Sequence, residues 1–172
     1  MIWLLAVWLI ILTFGFVVIR GAPYVPSKKK YIKRAFTKLY PVSKKDVLVD
    51  IGSGDGVVLR QASRLGAKAI GYEINPILVV ISRFLSRRDK NITIRLTDFW
   101  LKNLPDDTTI VYTFTASPYV KKIAAKLANE ATRLGRPLRF IIYGNALHGH
   151  KADGKLDGYR LYTFQPLQID KP

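Results

Sequence analysis

An α/β fold is what this sequence predicts: a mostly parallel sheet flanked by helices, its last strand antiparallel, preceded by one transmembrane helix. Three observations carry this. From Val47 onward, short β-type apolar runs alternate with helix-period segments; a glycine-dense turn, Gly52-Ser53-Gly54-Asp55-Gly56, joins the first run to the first such helix; and Ile2 to Ile19 is an unbroken uncharged apolar stretch. Alternating strands and helices imply parallel pairing with right-handed crossovers, and ligands then bind at the C-terminal strand ends beside the first strand. Residues 1–20 are expected to form the membrane helix, 21–45 a basic linker with an amphipathic helix, and 46–172 the ligand-binding domain.

The 18 residues from Ile2 to Ile19 would span about 27 Å as a helix, close to the ~30 Å hydrocarbon core of a bilayer. A cleavable signal peptide would carry positive charge ahead of the apolar run, whereas Arg20 follows it. A buried core helix is the other reading, since Trp3, Trp8 and Phe14 leave no polar face. Between Arg20 and Lys45 there are nine Lys or Arg and no acid. Under the positive-inside rule this puts the following domain in the cytoplasm, or in the matrix if the membrane is mitochondrial.

Net charge over the 172 residues is +16, and none of it comes from the first 19. Anionic lipid, an acidic protein face and nucleic acid all suit such a surface; an anchored domain points to lipid and a protein substrate ahead of nucleic acid. Absence of cysteine excludes disulfides, thiolate zinc sites and cysteine nucleophiles. With only His148 and His150, a histidine-rich metal site is excluded too, and no metal is expected.

Pro23 to Pro26 make a stiff extended link. Ser27 is placed to cap a helix running to about Leu39, with Ile32, Ala35, Phe36 and Leu39 on one face. That helix suits either a position over the ligand mouth or the bilayer surface.

The segment from Val47 to Pro76 is the chemically informative one. Gly52, Gly54 and Gly56 permit positive φ and let the backbone approach a ligand where the next helix presents N–H groups. Glu73 follows Asp50 by 23 residues, at the end of the second strand, where a carboxylate can accept both hydroxyls of a ribose. A dinucleotide site would need glycine at the sixth position counted from Gly52, which is Val57 here, and Asp50 and Asp55 would repel a pyrophosphate. They suit S-adenosylmethionine (SAM), which carries an ammonium and a sulfonium beside its ribose and no phosphate.

DIGSGDG (Asp50 to Gly56) and GYEINP (Gly71 to Pro76) resemble the first two motifs of class I SAM-dependent methyltransferases, whose sheet is Rossmann-like. With PYVPS (Pro23 to Ser27) and DFW (Asp98 to Trp100), the chain is similar to the membrane-anchored mitochondrial protein-lysine methyltransferases and their bacterial relatives, strongly to residue 100 and weakly beyond. Those act on the c subunit of ATP synthase and on the adenine nucleotide translocase. The resemblance implies SAM bound by Asp50, Gly52, Ser53, Gly54, Asp55, Gly56, Glu73, Ile74, Asn75, Asp98 and Phe99, with Asp98 accepting the adenine amino group. A loop acid beside core aromatics is the plainer reading of Asp98.

Beyond the loop, Asn75-Pro76 reads as an N-cap and first helical residue, with a helix to about Arg87. Ile92 to Leu96 reads as strand three and Thr109 to Phe114 as strand four. Ser117-Pro118 then opens a helix through Val120, Ile123, Ala124, Leu127, Ala131 and Leu134, stopped by Gly135. Leu138 to Tyr143 is strand five, Asn145 to Gly158 a loop, and Tyr159 to Phe164 the antiparallel last strand, with the final hairpin shortened. Catalytic residues are not fixed by the sequence. Candidates to meet a substrate are Tyr24, Ser117, Tyr119, Asn145 and His148, each with capping or loop packing as the alternative. Ser117 lacks the amide that holds an amine in the Asn-Pro-Pro-Tyr segment of some N-methyltransferases.

Overall fold

The computed structural model describes residues 3, 4, 7, 8, 28–115 and 119–167. The predicted membrane span lies outside them except for Trp3, Leu4, Val7 and Trp8, which are helical and exposed. The proline link, Ser27 and the Ser117-Pro118 cap lie outside them altogether. Among the described residues no helix is long and apolar enough to cross a membrane.

The domain is a seven-stranded sheet in the order β3-β2-β1-β4-β5-β7-β6. Its strands are β1 (Val47–Ile51), β2 (Lys68–Glu73), β3 (Ile92–Leu96), β4 (Ile110–Thr115), β5 (Leu138–Gly144), β6 (Gly154–Leu156) and β7 (Tyr159–Phe164). The first five are parallel, while β7 runs antiparallel to both β5 and β6. Central β1 is apolar except for Asp50 because both of its faces are covered. Leu48 faces one core cluster and Val49 the other, and neither is exposed. Helices α1 (Lys29–Arg34, continuing as a π-helical turn Ala35–Leu39), α2 (Val57–Ser63) and α3 (Pro76–Ser86) contribute to the first cluster. On the other face α4 (Val120–Leu134) buries the stripe Val120, Ile123, Ala124, Leu127 and Ala131, and Gly135, at φ 63°, ends it.

Two expectations are corrected. The helix of residues 28–39 does not offer its apolar face to a bilayer. Ile32, Ala35 and Phe36 are completely buried, and the Phe36 ring meets Tyr112 edge-on at 6.0 Å. Spacing alone specifies an apolar stripe without saying what covers it, and here the sheet covers it. Second, the span read as a loop, Asn145 to Gly158, contains strand β6. Asp157 (φ 51°) and Gly158 (φ 84°) form the two-residue turn that folds it back as a hairpin onto β7. Gly154 sits under Leu39, whose Cδ1 would lie 2.8 Å from any Cβ there. The Arg34–Asp157 ion pair at 3.0 Å joins α1 to the same turn.

Candidate active site

The predicted residues of the glycine turn gather at the C-terminal ends of β1 and β2. Asp50 is in β1, Glu73 ends β2, and Gly52 to Gly56 cross between β1 and α2 with φ values of 73°, 54° and 79° at the three glycines. Asp50 is 2% exposed and Glu73 5%. The backbone donors of this turn are largely used internally. Gly52 N and Ser53 N donate to Tyr72 O at 2.8 and 3.1 Å, and Gly56 N to Ser53 O at 2.9 Å. Gly54 N donates to Glu73 Oε2 at 2.8 Å, and Val57 N to Asp55 Oδ1 at 3.1 Å.

This arrangement decides what the turn can hold. A phosphate site needs N–H groups aimed at the ligand and a positive helix end. Here Asp55 places a carboxylate on the first N–H of α2. Its charge is shared with Arg60, which reaches Asp55 Oδ2 at 3.2 Å and Asp55 O at 2.6 Å. Among the described residues no such cation pairs with Asp50 or Glu73. Burial, then the neighbouring carboxylates of Glu73 and Asp55, raises the Asp50 pKa well above the ordinary carboxylate range. Ionising Asp50 beside these carboxylates is therefore costly, and a cationic ligand would relieve that cost.

Glu73 acts first on the protein. One oxygen holds the turn through Gly54 N, and the other accepts Asn75 N at 2.8 Å. Each keeps a second lone-pair direction. Asn75 is fully buried and caps α3, its Oδ1 accepting from Ile77 N at 2.9 Å and Leu78 N at 3.4 Å. Ile74 lies between them, half-buried. The residues present fit a nucleoside with a cationic tail. Ser53 Oγ and Asn75 Nδ2 are buried without a hydrogen-bond partner among the described residues. A Cβ built on Gly52 meets nothing within 4 Å, so the turn faces open space there.

After β3, Asp98 Oδ1 accepts Trp100 N at 2.8 Å and so caps the 3-10 turn Phe99–Leu101. The Phe99 side chain is 3% exposed and belongs to the core cluster under α4. Sequence reasoning missed Lys126. From α4 its Nζ donates to three carbonyls, Phe99 O at 2.6 Å, Trp100 O at 3.2 Å and Lys102 O at 2.7 Å, fixing the turn that carries Asp98. Burial lowers its pKa. No local spacing foretells a contact between segments 24 to 27 residues apart.

Of the substrate candidates, Tyr24 and Ser117 lie outside the described residues. Tyr119 is half-buried with its ring 6.5 Å from Trp100, while Asn145 and His148 are exposed after β5. Strands β4 and β5 are paired through Thr115 and Gly144, so Tyr119, Asn145 and His148 follow strand ends on one side of the sheet, and among the described residues no hydrogen bond or ring contact joins the three.

No family model matches the chain. It is 43% identical over 67 residues to the ATP synthase c-subunit lysine N-methyltransferase of Xenopus laevis, covering 39% of this chain and 29% of that protein. To the human protein of the same name it is 32% identical over 111 residues, covering 63% of this chain and 46% of the relative. The chain thus matches less than half the length of these relatives. Among solved structures, an RNA methyltransferase from Salinibacter ruber, in complex with S-adenosyl-L-homocysteine, superposes with a TM-score of 0.69. The two are 26% identical over 86% of this chain and 98% of that one. In fold and in sequence, this chain resembles the class I SAM-dependent methyltransferases, and among them the ATP synthase c-subunit lysine N-methyltransferases.

Proposed function

We propose that the protein is a membrane-anchored SAM-dependent methyltransferase that modifies lysine on a membrane protein. One observation carries the cofactor assignment: the buried, cation-free pair Asp50 and Glu73 behind a turn whose donors are internally bonded and whose helix end is already capped by Asp55. Such a site rejects phosphate and favours a nucleoside bearing positive charge. Bound SAM supplies an electrophilic methyl group on sulfur.

The chain's own residues then have separable roles. Glu73 offers its remaining lone pairs to ribose hydroxyls while keeping the glycine turn closed. Asp50 and Asp55 balance the cationic end, and Asp98 offers its second oxygen to the adenine amino group. Methyl transfer is an in-line displacement, so the protein's contribution is position, exclusion of water and an acceptor with a free lone pair. A lysine acceptor at pH 7 sits about 3.4 units below its ordinary pKa. Burial beside a cationic ligand lowers an amine pKa, so the site itself assists deprotonation. The lysine acceptor is supported by the relatives' names, and the anchor by the apolar run from Ile2 to Ile19 with the basic segment after it, which sets the domain on the cytoplasmic or matrix side.

A second reading, RNA as acceptor, draws on the +16 charge and on the Salinibacter ruber relative. Incubating the full chain with methyl-labelled SAM and membranes from its source separates the two. Label in a membrane protein, recovered as methyl-lysine after hydrolysis, supports the proposal; label in RNA or in the lipid extract redirects it.

A further inference from the structure

Helix α3 is built inside out. Its buried side is Leu78, Val79, Ser82 and Ser86, and the hydroxyls of both serines are buried without a partner among the described residues. Its outer side carries Val80, Ile81, Phe84 and Leu85, which are 67, 41, 61 and 48% exposed. At spacings of one, three and four residues these four form one stripe. An amphipathic helix on a soluble surface turns the other way.

What borders the stripe is basic. The Arg87 guanidinium lies 4.3 Å over the Phe84 ring, Arg88 is exposed just past the helix end, and Arg83, exposed on the helix, donates its guanidinium to Ile94 O at 2.8 Å. Beside its C-terminal end, a hollow of about 320 Å³ between α2 and α3 is lined by Arg60, Arg64, Arg88 and Lys90, with Leu85 and Asp89 on its wall. The Asp89 carboxylate is already occupied, accepting Ser63 Oγ at 2.7 Å and Asn91 N at 3.0 Å. Arg60 is paired with Asp55, which leaves Arg64, Arg88 and Lys90 as the cations of the hollow. Room for a head group among three cations, directly against a stripe of large apolar side chains, matches an anionic phospholipid: head group in the hollow, acyl chains against the stripe. A second copy of the chain would bring another +16 to the same place. Helix α1, into which the apolar N-terminal segment leads, packs in the same layer as α2 and α3.

We propose that the outer face of α3, with the basic hollow beside it, docks onto an anionic lipid bilayer, so that this helical layer is held against the membrane by a contact separate from the N-terminal segment. The proposal does not depend on the methyl-transfer reading.

The chain has no cysteine, so a single label can be placed. Full-length Val80→Cys, carrying an environment-sensitive fluorophore, is reconstituted in phosphatidylcholine vesicles with or without phosphatidylglycerol. Full-length Lys121→Cys, at an exposed position of α4, is the comparison. The Val80 label should shift to the blue and be quenched by chain-brominated lipids when phosphatidylglycerol is present, and the Lys121 label should do neither. Adding Arg64→Glu and Arg88→Glu, which touch no residue of the glycine turn, should abolish the quenching while circular dichroism confirms the fold. Three results would overturn the proposal. One is a Val80 label as open to aqueous iodide as the Lys121 label in phosphatidylglycerol vesicles. Another is a label shielded from iodide yet untouched by brominated lipid, which would place the N-terminal segment or a second copy on the stripe. The last is quenching that survives both charge reversals.

Discussion

Replacing Glu73 by glutamine tests the site most directly, because the same carboxylate holds the protein together and, in the function proposed above, faces the ligand. In the wild-type chain its two oxygens accept Gly54 N and Asn75 N, each at 2.8 Å, from a position 5% exposed. Hydrogen bonds to a buried charge contribute roughly 1.5–3 kcal/mol each. Glutamine keeps the volume and one acceptor, and its amide nitrogen then confronts the other N–H, leaving a buried donor unsatisfied at a cost of about 1–3 kcal/mol. Urea unfolding should show a loss of that size. If the remaining lone pairs take a ribose hydroxyl, the charged bond they lose is worth about 1.5–3 kcal/mol, so affinity should fall about 10- to 150-fold.

Two readouts separate the structural from the binding effect. Calorimetry should show a loss with both SAM and S-adenosylhomocysteine, because both carry the ribose, and a larger one with SAM, whose sulfonium the Glu73 charge also favours. Stabilisation by saturating SAM should shrink in step with the measured affinity, as linkage requires. A variant that loses stability yet binds SAM as tightly as the wild type would make Glu73 a clamp for the glycine turn alone, and the ribose assignment would be wrong.

Three other outcomes are expected. Asp50 has a raised folded-state pKa, so the native chain holds its proton more tightly than the unfolded chain, and its contribution to stability, complete below the unfolded pKa, is lost as pH rises through the folded one. Asp50→Asn should remove that slope and raise stability by about 0.5–2 kcal/mol at neutral pH, while weakening SAM binding most at the alkaline end; melts and calorimetry across pH check both. Gly52→Ala should cost about 1–2 kcal/mol of stability for the strained φ of 73°, with a larger proportional loss of SAM affinity because the new Cβ enters the open side of the turn. Phe36→Ala should destabilise the domain by about 3–5 kcal/mol, seen as a lower urea midpoint in the absence of lipid; an unchanged midpoint would return α1 to the membrane surface.

The sheet was legible because each parallel strand is an apolar run punctuated by its own signal. Asn75-Pro76 before α3 and Gly135 after α4 perform as their chemistry requires. The short β6 was not, since Gly154–Leu156 is too brief for alternation to register and only Asp157-Gly158 marks the hairpin. In the site, the acids could be read from spacing, but their partners could not. Arg60 pairs with Asp55 across one helical turn, whereas Lys126 reaches the Phe99–Leu101 turn from a helix beyond β4. Phe99 shows the same limit in reverse: an aromatic after β3 suits both an adenine ring and a core, and its side chain belongs to the core cluster under α4.

Helix α3 takes the limit furthest. Ile77 to Ile81 are five apolar residues in a row, so no period in them says which side faces in. The choice falls to the two serines. Ser82 Oγ occupies the space that a side chain on Gly56 would need, so the close approach of α3 to the glycine turn requires a small residue on its inner side. Large apolar residues on the outer side are not required by that packing, and leaving four of them in water is unfavourable by the same area rule that builds the core. Packing against the glycine turn therefore explains the inner face of α3 and leaves the outer face unexplained, and an apolar face with arginines along its border is what a contact with an anionic bilayer would use.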